Sequence, residues 1–342
     1  MKRIALVLIA LTAALLPFPS LATEPLRTIP LFPVEIDGLY GYIDTTGRMV
    51  ITPQFTDARE FSEGLAPVTF DIRHWGYVDT AGTLVIQPQF DWAESFSEGL
   101  ARVRIDNRWG YIDTSGTLVI QAQYSDALSF RQGLAAVNTG GPHGKWGFID
   151  HSGALVIQPQ FDIARSFSEG LAKVRTGDLW GYIDTVGTFV ISPQYSYAED
   201  FSEGLASVKL DGFFGYINPQ GQMVIEPQFG WAYNFSEGLA AVLVDGLYGF
   251  IDKNGEYVIA PKYDYSEGFR QGVATVRLDY GSGLWGYLDR SGKIRFTLHC
   301  SAASNYSRGL SKIEWSSYSD QEGERIIIGY LDWHGKMIWR GE

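Results

Sequence analysis

The chain has 342 residues, a formal net charge of −12, 14% aromatic residues and a single cysteine. That acidity, with no cluster of Lys or Arg, argues against nucleic acid as a partner, because phosphate backbones select basic faces. Cys300 being alone excludes an intramolecular disulfide, so stability must come from packing.

Met1-Lys2-Arg3 is basic and is followed by an apolar run, Ile4 to Leu16, too short to span a bilayer. Pro17 and Pro19 break any helix, and Ser20-Leu21-Ala22 places small residues where a signal peptidase cuts. Residues 1–22 are therefore predicted to be a signal peptide, cleaved before Thr23. Thr23 is no acceptor for a lipid, and no later segment is long and apolar. The mature chain is expected to be soluble, periplasmic or secreted, with no membrane span after cleavage.

After a lead-in at residues 23–33, one pentad recurs with a period of about 34 residues, the signature of a repeat architecture. Tyr40-Gly41-Tyr42-Ile43-Asp44 realigns with Trp75-Gly76-Tyr77-Val78-Asp79 and Trp109-Gly110-Tyr111-Ile112-Asp113. Further copies start at Trp146, Trp180, Phe214, Tyr248 and Trp285, and a worn one ends at Asp332. Extra residues before the fourth, eighth and ninth copies read as loops. Within a copy the alternation has period two and predicts three strands, for example Leu65–Phe70, Trp75–Val78 and Thr83–Ile86. Asp79-Thr80-Ala81-Gly82 between the last two predicts a tight hairpin, with Gly in a left-handed conformation. Gly76, inside a strand, needs a packing reason, and a neighbouring ring covering it is the expected one. Phe90, Ala93 and Phe96, three apart, predict a short helical turn or compact loop closed by Gly99.

The elements Trp/Tyr-Gly-Tyr-Ile-Asp-x-x-Gly, Val-Ile-x-Pro-Gln-Phe and Phe-Ser-Glu-Gly-Leu-Ala-x-Val keep their mutual spacing through seven copies. In this they resemble the WG-repeat family of bacterial proteins. The eighth copy departs, with Ile294-Arg295-Phe296 and Tyr306-Ser307-Arg308-Gly309 in place of the motifs. The resemblance implies an interaction module, often envelope-associated, and brings no catalytic residues with it.

The predicted fold is all-β: eight to nine three-stranded units in tandem, with WG-type repeats over 34–298 and a degenerate repeat and cap over 299–342. An open, curved solenoid is favoured over a propeller-like ring, because no terminal strand is left over to complete a distant unit and the last copies look like a cap.

An enzyme needs unlike groups converging on one point, whereas this sequence spreads like groups along an axis. Glu63, Glu98, Glu169, Glu203 and Glu237 are the most tempting acids, but Gln132 and Gln271 replace them in two copies, which points to a turn role. The five histidines, at 74, 143, 151, 299 and 334, share no metal-ligand spacing. Cys300 beside His299 lacks an orienting carboxylate. The expectation is therefore no catalytic residues, no metal and no cofactor. The Trp75, Trp109, Trp146, Trp180 and Trp285 series keeps a fixed register and reads as core. A second column, Asp57, Trp92, Asp126, Ile163, Tyr197, Trp231 and Tyr265, alternates rings with Asp, so the fold does not demand a ring there. Trp92, Tyr197, Trp231 and Tyr265 are the candidate binding residues, for a protein partner or, alternatively, an envelope glycan.

Overall fold

The structure is a computed structural model that describes residues 30–140, 144–279, 281–319 and 323–341. The signal-peptide and lead-in expectations fall on 1–29, outside those residues. The chain forms nine consecutive antiparallel sheets and no helix among the described residues. They are the blades of a closed ring: blade 1 spans 31–55, then 57–90, 92–124, 126–161, 163–195, 197–229, 231–263, 265–299 and, as blade 9, 302–340.

This overturns the open solenoid of three-stranded units. In blade 3 the strands are Trp92–Ala93 (a), Leu100–Ile105 (b), Arg108–Asp113 (c) and Leu118–Tyr124 (d), paired in that order. The extra strand a is the two-residue segment expected to be helical or loop. Its neighbours Phe90, Ala93 and Phe96 are all buried, but as a crossover and an inner strand rather than one helical face. Only blade 1 shows three strands among the described residues. Glu60 of blade 2 lines one axial cavity with Glu199, Asn234, Glu267 and Asn305 of blades 6 to 9, which puts strand a and the residues after it on the central axis.

Two motifs explain each other. The Trp-Gly glycine is covered by backbone, not by the expected ring: a Cβ on Gly76 would stand 2.4 Å from the Ile86 carbonyl oxygen and 2.8 Å from the Pro88 nitrogen. Strand d bulges at that point, Trp75 pairing with Phe90 and Tyr77 with Ile86, and Pro88 sits in the bulge where no N–H is required. The Asp-x-x-Gly hairpin forms as predicted. Gly116 N–H donates to the Asp113 carbonyl at 2.9 Å, the Asp113 carboxylate accepts from Ser115 and Thr117 N–H, and Gly116 has φ +86°. Its α-carbon lies against the next layer, since a Cβ would meet Ile86 of the preceding blade at 3.0 Å.

Ring closure uses that same contact. Gly82 faces Ile51, Gly116 faces Ile86, and so on around the ring, until Gly47 of blade 1 faces Ile338 of blade 9. Phe32, Val34, Ile43, Leu310 and Tyr330 form one buried cluster across this seam. The absence of a leftover strand thus does not prevent closure: the two end blades pack face to face, as every neighbouring pair does. Residues 302–340 are therefore a ninth blade rather than a cap.

Candidate functional site

Because strands alternate in direction, the a–b turns and c–d hairpins lie at one end of the ring, and the b–c hairpins and blade crossovers at the other. The Ser-Glu-Gly glutamates belong to the first end. Glu98 and Gly99 both have positive φ (56° and 81°), the mark of a two-residue type I′ turn, and Ser97 and Leu100 exchange both backbone bonds. The Glu98 carboxylate then accepts N–H bonds from Gln132 and Gly133 of the next blade. Glu169 does the same for Glu203 and Gly204, and Gln132 accepts from Gly170 through its amide oxygen. An amide can stand there because its one oxygen still takes one of the two N–H groups, that of the glycine. At the seam Arg308 stands in the glutamate position and Pro30, lacking an N–H, in the glycine position, so this ladder ends there.

The second end carries the aromatic residues. Each second-column residue opens a strand a, and three of the column's rings lie against the Trp-Gly-series ring of the preceding blade. Trp92 packs on Trp75 at 5.5 Å, Trp231 on Phe214 at 4.8 Å and Tyr265 on Tyr248 at 6.1 Å. The two columns are thus one layer, and the expectation that the Trp-Gly series alone is core needs correction. Trp75, Trp146, Phe214 and Trp285 are buried, as expected, but Trp109, Trp180 and Tyr248 are only half-buried, like Trp231. Trp109 is followed in the second column by Asp126, and the side chain over its ring is Arg102 of its own blade.

Around the ring this layer is of two kinds. In blades 2, 3 and 5 cations lie over the rings: Arg59 over Trp75 and Trp92 (4.7 and 4.2 Å), Arg102 over Trp109, and Lys173 and Arg175 over Trp180. In blades 6 to 8 rings cover rings, with Lys209 also over Phe214 at 5.3 Å. Tyr197, Phe214, Trp231, Tyr233, Tyr248, Tyr265 and Trp285 make an unbroken chain of contacts with centroids 4.8 to 6.1 Å apart. Of the four candidates, Tyr197, Trp231 and Tyr265 come together in this belt. Trp92 does not: it lies in blade 3 under Arg59. Tyr233 and Tyr248 belong to the belt and were missed. The signal was there, since blade 7 alone has aromatic residues at the second column, two residues after it, and in the Trp-Gly position.

Carboxylates accompany the belt. Tyr197 donates its hydroxyl to Glu199 at 2.6 Å and Tyr265 to Glu267 at 2.8 Å, as the Trp92 indole does to Glu94 at 2.9 Å. Burial works against ionisation of Glu199, but the Tyr197 hydroxyl and the Lys173 ammonium outweigh it and hold its carboxyl below the ordinary range. Glu94 is held low in the same way by Trp92, Arg59 and Arg102. Burial pushes the Tyr248 hydroxyl up to about 12 and the Cys300 thiol also to about 12, so both stay protonated near neutrality. Among the described residues no group of three His, Cys, Asp or Glu side chains could hold a metal ion, and no helix is long and apolar enough to cross a membrane.

The sequence profile of the WG containing repeat matches eight times, at residues 40–71, 75–109, 109–141, 146–180, 180–212, 214–248, 248–280 and 285–314. The chain belongs to the WG-repeat family. No curated protein matches this WG-repeat chain in sequence. In shape it is similar to a crystal structure of a eukaryotic initiation factor, with a TM-score of 0.63 and 12% identity over 91% of this chain and 96% of that one, which shows the propeller fold alone. Apo AztD from Citrobacter koseri (TM-score 0.43, 12% identity, 92% and 94% coverage) and Hsv2 from Kluyveromyces lactis (0.42, 10%, 73% and 98%) are slighter likenesses and bear on neither fold nor function.

Proposed function

We propose that this WG-repeat propeller is an exported, non-catalytic interaction module of the bacterial envelope that docks a protein partner on the ring end carrying the aromatic belt. The belt of blades 6 to 8 carries this reading. Half-buried Tyr197, Trp231, Tyr233, Tyr248 and Tyr265 offer large, rigid contact area at small entropic cost, in the residue types that dominate interface energetics. The repeated glutamates, the most tempting acids for catalysis, are engaged in holding blade to blade. The leader-like residues 1–22 support export.

The test is to identify a partner by pull-down from envelope extract and then measure its affinity for a Tyr197→Asp, Tyr233→Ser double variant. Both replacements already occur at equivalent positions, as Asp57 and Asp126 and as Ser304, so the fold accommodates them. At least tenfold weaker binding is expected, measured at a temperature below the melting transition of both proteins. Undiminished affinity would move the interface to the b–c loops around 139–145 and 279–283.

A further inference from the structure

Trp92, Trp231 and Tyr265 of the second column each pack on the Trp-Gly-series ring of the preceding blade, but blade 9 has Ala302 there, beside Trp285. A cleft of about 400 Å³ opens where the ring is missing, between blades 8 and 9. Tyr265 and Trp285 form its apolar wall, with centroids 5.8 Å apart. Glu267, Lys312, Glu314, Ser301 and Ser304 stand around them. Trp285 is 5% exposed, and its indole N–H has no hydrogen-bond partner. A buried donor without an acceptor costs free energy and is unusual enough to need an explanation.

We propose that this cleft binds a single pyranose ring. Its size falls in the range of small-ligand sites, and its lining joins aromatic surface to convergent polar groups, as such sites do. The electron-rich face of half-buried Tyr265 suits the polarised C–H face of a sugar, and the unpartnered Trp285 indole N–H behind it can donate to a sugar oxygen. The Glu267 and Glu314 carboxylates accept from hydroxyl groups, while the Lys312 ammonium, which pairs with Glu314 at 2.8 Å, donates to ring or hydroxyl oxygens. An aromatic side chain from a partner protein would fill the same space but bring no acceptor to the Trp285 indole N–H. The site rests on the missing ring of blade 9 and adjoins the partner-docking belt, with which it shares Tyr265 and Trp285.

The test titrates the full mature chain with D-glucose, D-galactose and N-acetylglucosamine separately, by calorimetry and ligand-observed NMR. At least one should bind, and Ala302→Trp should weaken it tenfold or more. That variant restores the residue found at the same place in blades 3 and 7, as Trp92 and Trp231, so it should melt at or above the wild-type temperature. Glu314→Gln should weaken the same sugar several-fold, whereas the Tyr197→Asp, Tyr233→Ser variant should bind it as the wild type does. Binding of none of the three sugars, or binding that persists in Ala302→Trp, would overturn the proposal. So would displacement of the NMR signal by a Trp-containing peptide that itself binds more tightly than any sugar.

Discussion

Tyr330 of the last blade donates its hydroxyl to the carbonyl of Pro33 in the first, at 3.0 Å and across 297 residues of sequence. The ring of Tyr330 lies 5.6 Å from that of Phe32, so one side chain supplies both the polar and the apolar part of the seam. Tyr330→Phe should cost about 1 kcal/mol through the lost hydrogen bond, and Tyr330→Ala about 3 to 5 kcal/mol. Small-angle scattering checks the consequence: the alanine variant should reach a larger radius of gyration at a denaturant concentration where the wild type is still compact. Coincident behaviour would mean that the seam is held elsewhere.

Gly110 and Gly116 test the two glycine positions separately. A Cβ on Gly110 would lie 2.6 Å from the Ile120 carbonyl oxygen, so Gly110→Ala must push strands c and d apart and should cost about 2 to 4 kcal/mol. Gly116→Val adds a β-branched side chain at φ +86° and against Ile86, and should cost more than about 2 kcal/mol. Chemical denaturation of each reads the loss, and a variant as stable as the wild type would refute the contact assigned to it.

Glu203→Gln and Glu203→Ala should separate acceptor from charge. Glu203 accepts N–H bonds from Glu237 and Gly238 and also meets Lys253 at 3.3 Å. The single amide oxygen can keep only one of the two N–H bonds, as Gln132 does, and the ion pair is lost, so it should cost about 0.5 to 1 kcal/mol, less than alanine. Alanine leaves two turn N–H groups to water and should cost about 1 to 2 kcal/mol. Equal losses would show that charge, not hydrogen bonding, joins the turns.

Acid should destabilise the protein through Glu94 and Glu199. Both have carboxyls held below the ordinary 4.5 in the folded state. A depressed folded pKa contributes stability that is complete above about pH 4.5 and is lost as the pH falls below it. The melting temperature should therefore fall between pH 5 and pH 3, and a Glu94→Gln, Glu199→Gln variant, less stable at pH 7, should lose less over that interval. An identical pH profile would show that other carboxylates dominate.

Trp109→Ala and Trp231→Ala should cost similar amounts, about 2 to 4 kcal/mol each, because both rings are half-buried in one layer. Trp109 lies beneath Arg102, and Trp231 among Tyr197, Phe214 and Tyr233. Urea unfolding of the two variants compares them. A Trp231 variant as stable as the wild type would make the second column pure surface.

Local chemistry was legible in the sequence. The period, the strands, the Asp-x-x-Gly hairpins and the turn role suggested for the Ser-Glu-Gly glutamates follow from residue types whose backbone and hydrogen-bonding preferences act within a few positions. So does the membership of Tyr197, Trp231 and Tyr265 in one patch, since they sit at one register in consecutive units. Ring closure did not follow, because it depends on a small rotation accumulated over nine interfaces, and no single residue encodes that sum. The inner strand was hidden because two residues are too few to show a period. The missing ring at Ala302 and the lid of Arg59 over Trp92 were equally hidden. Each depends on which side chain a neighbouring blade, folded separately, brings to the same point, and only the packed ring decides that.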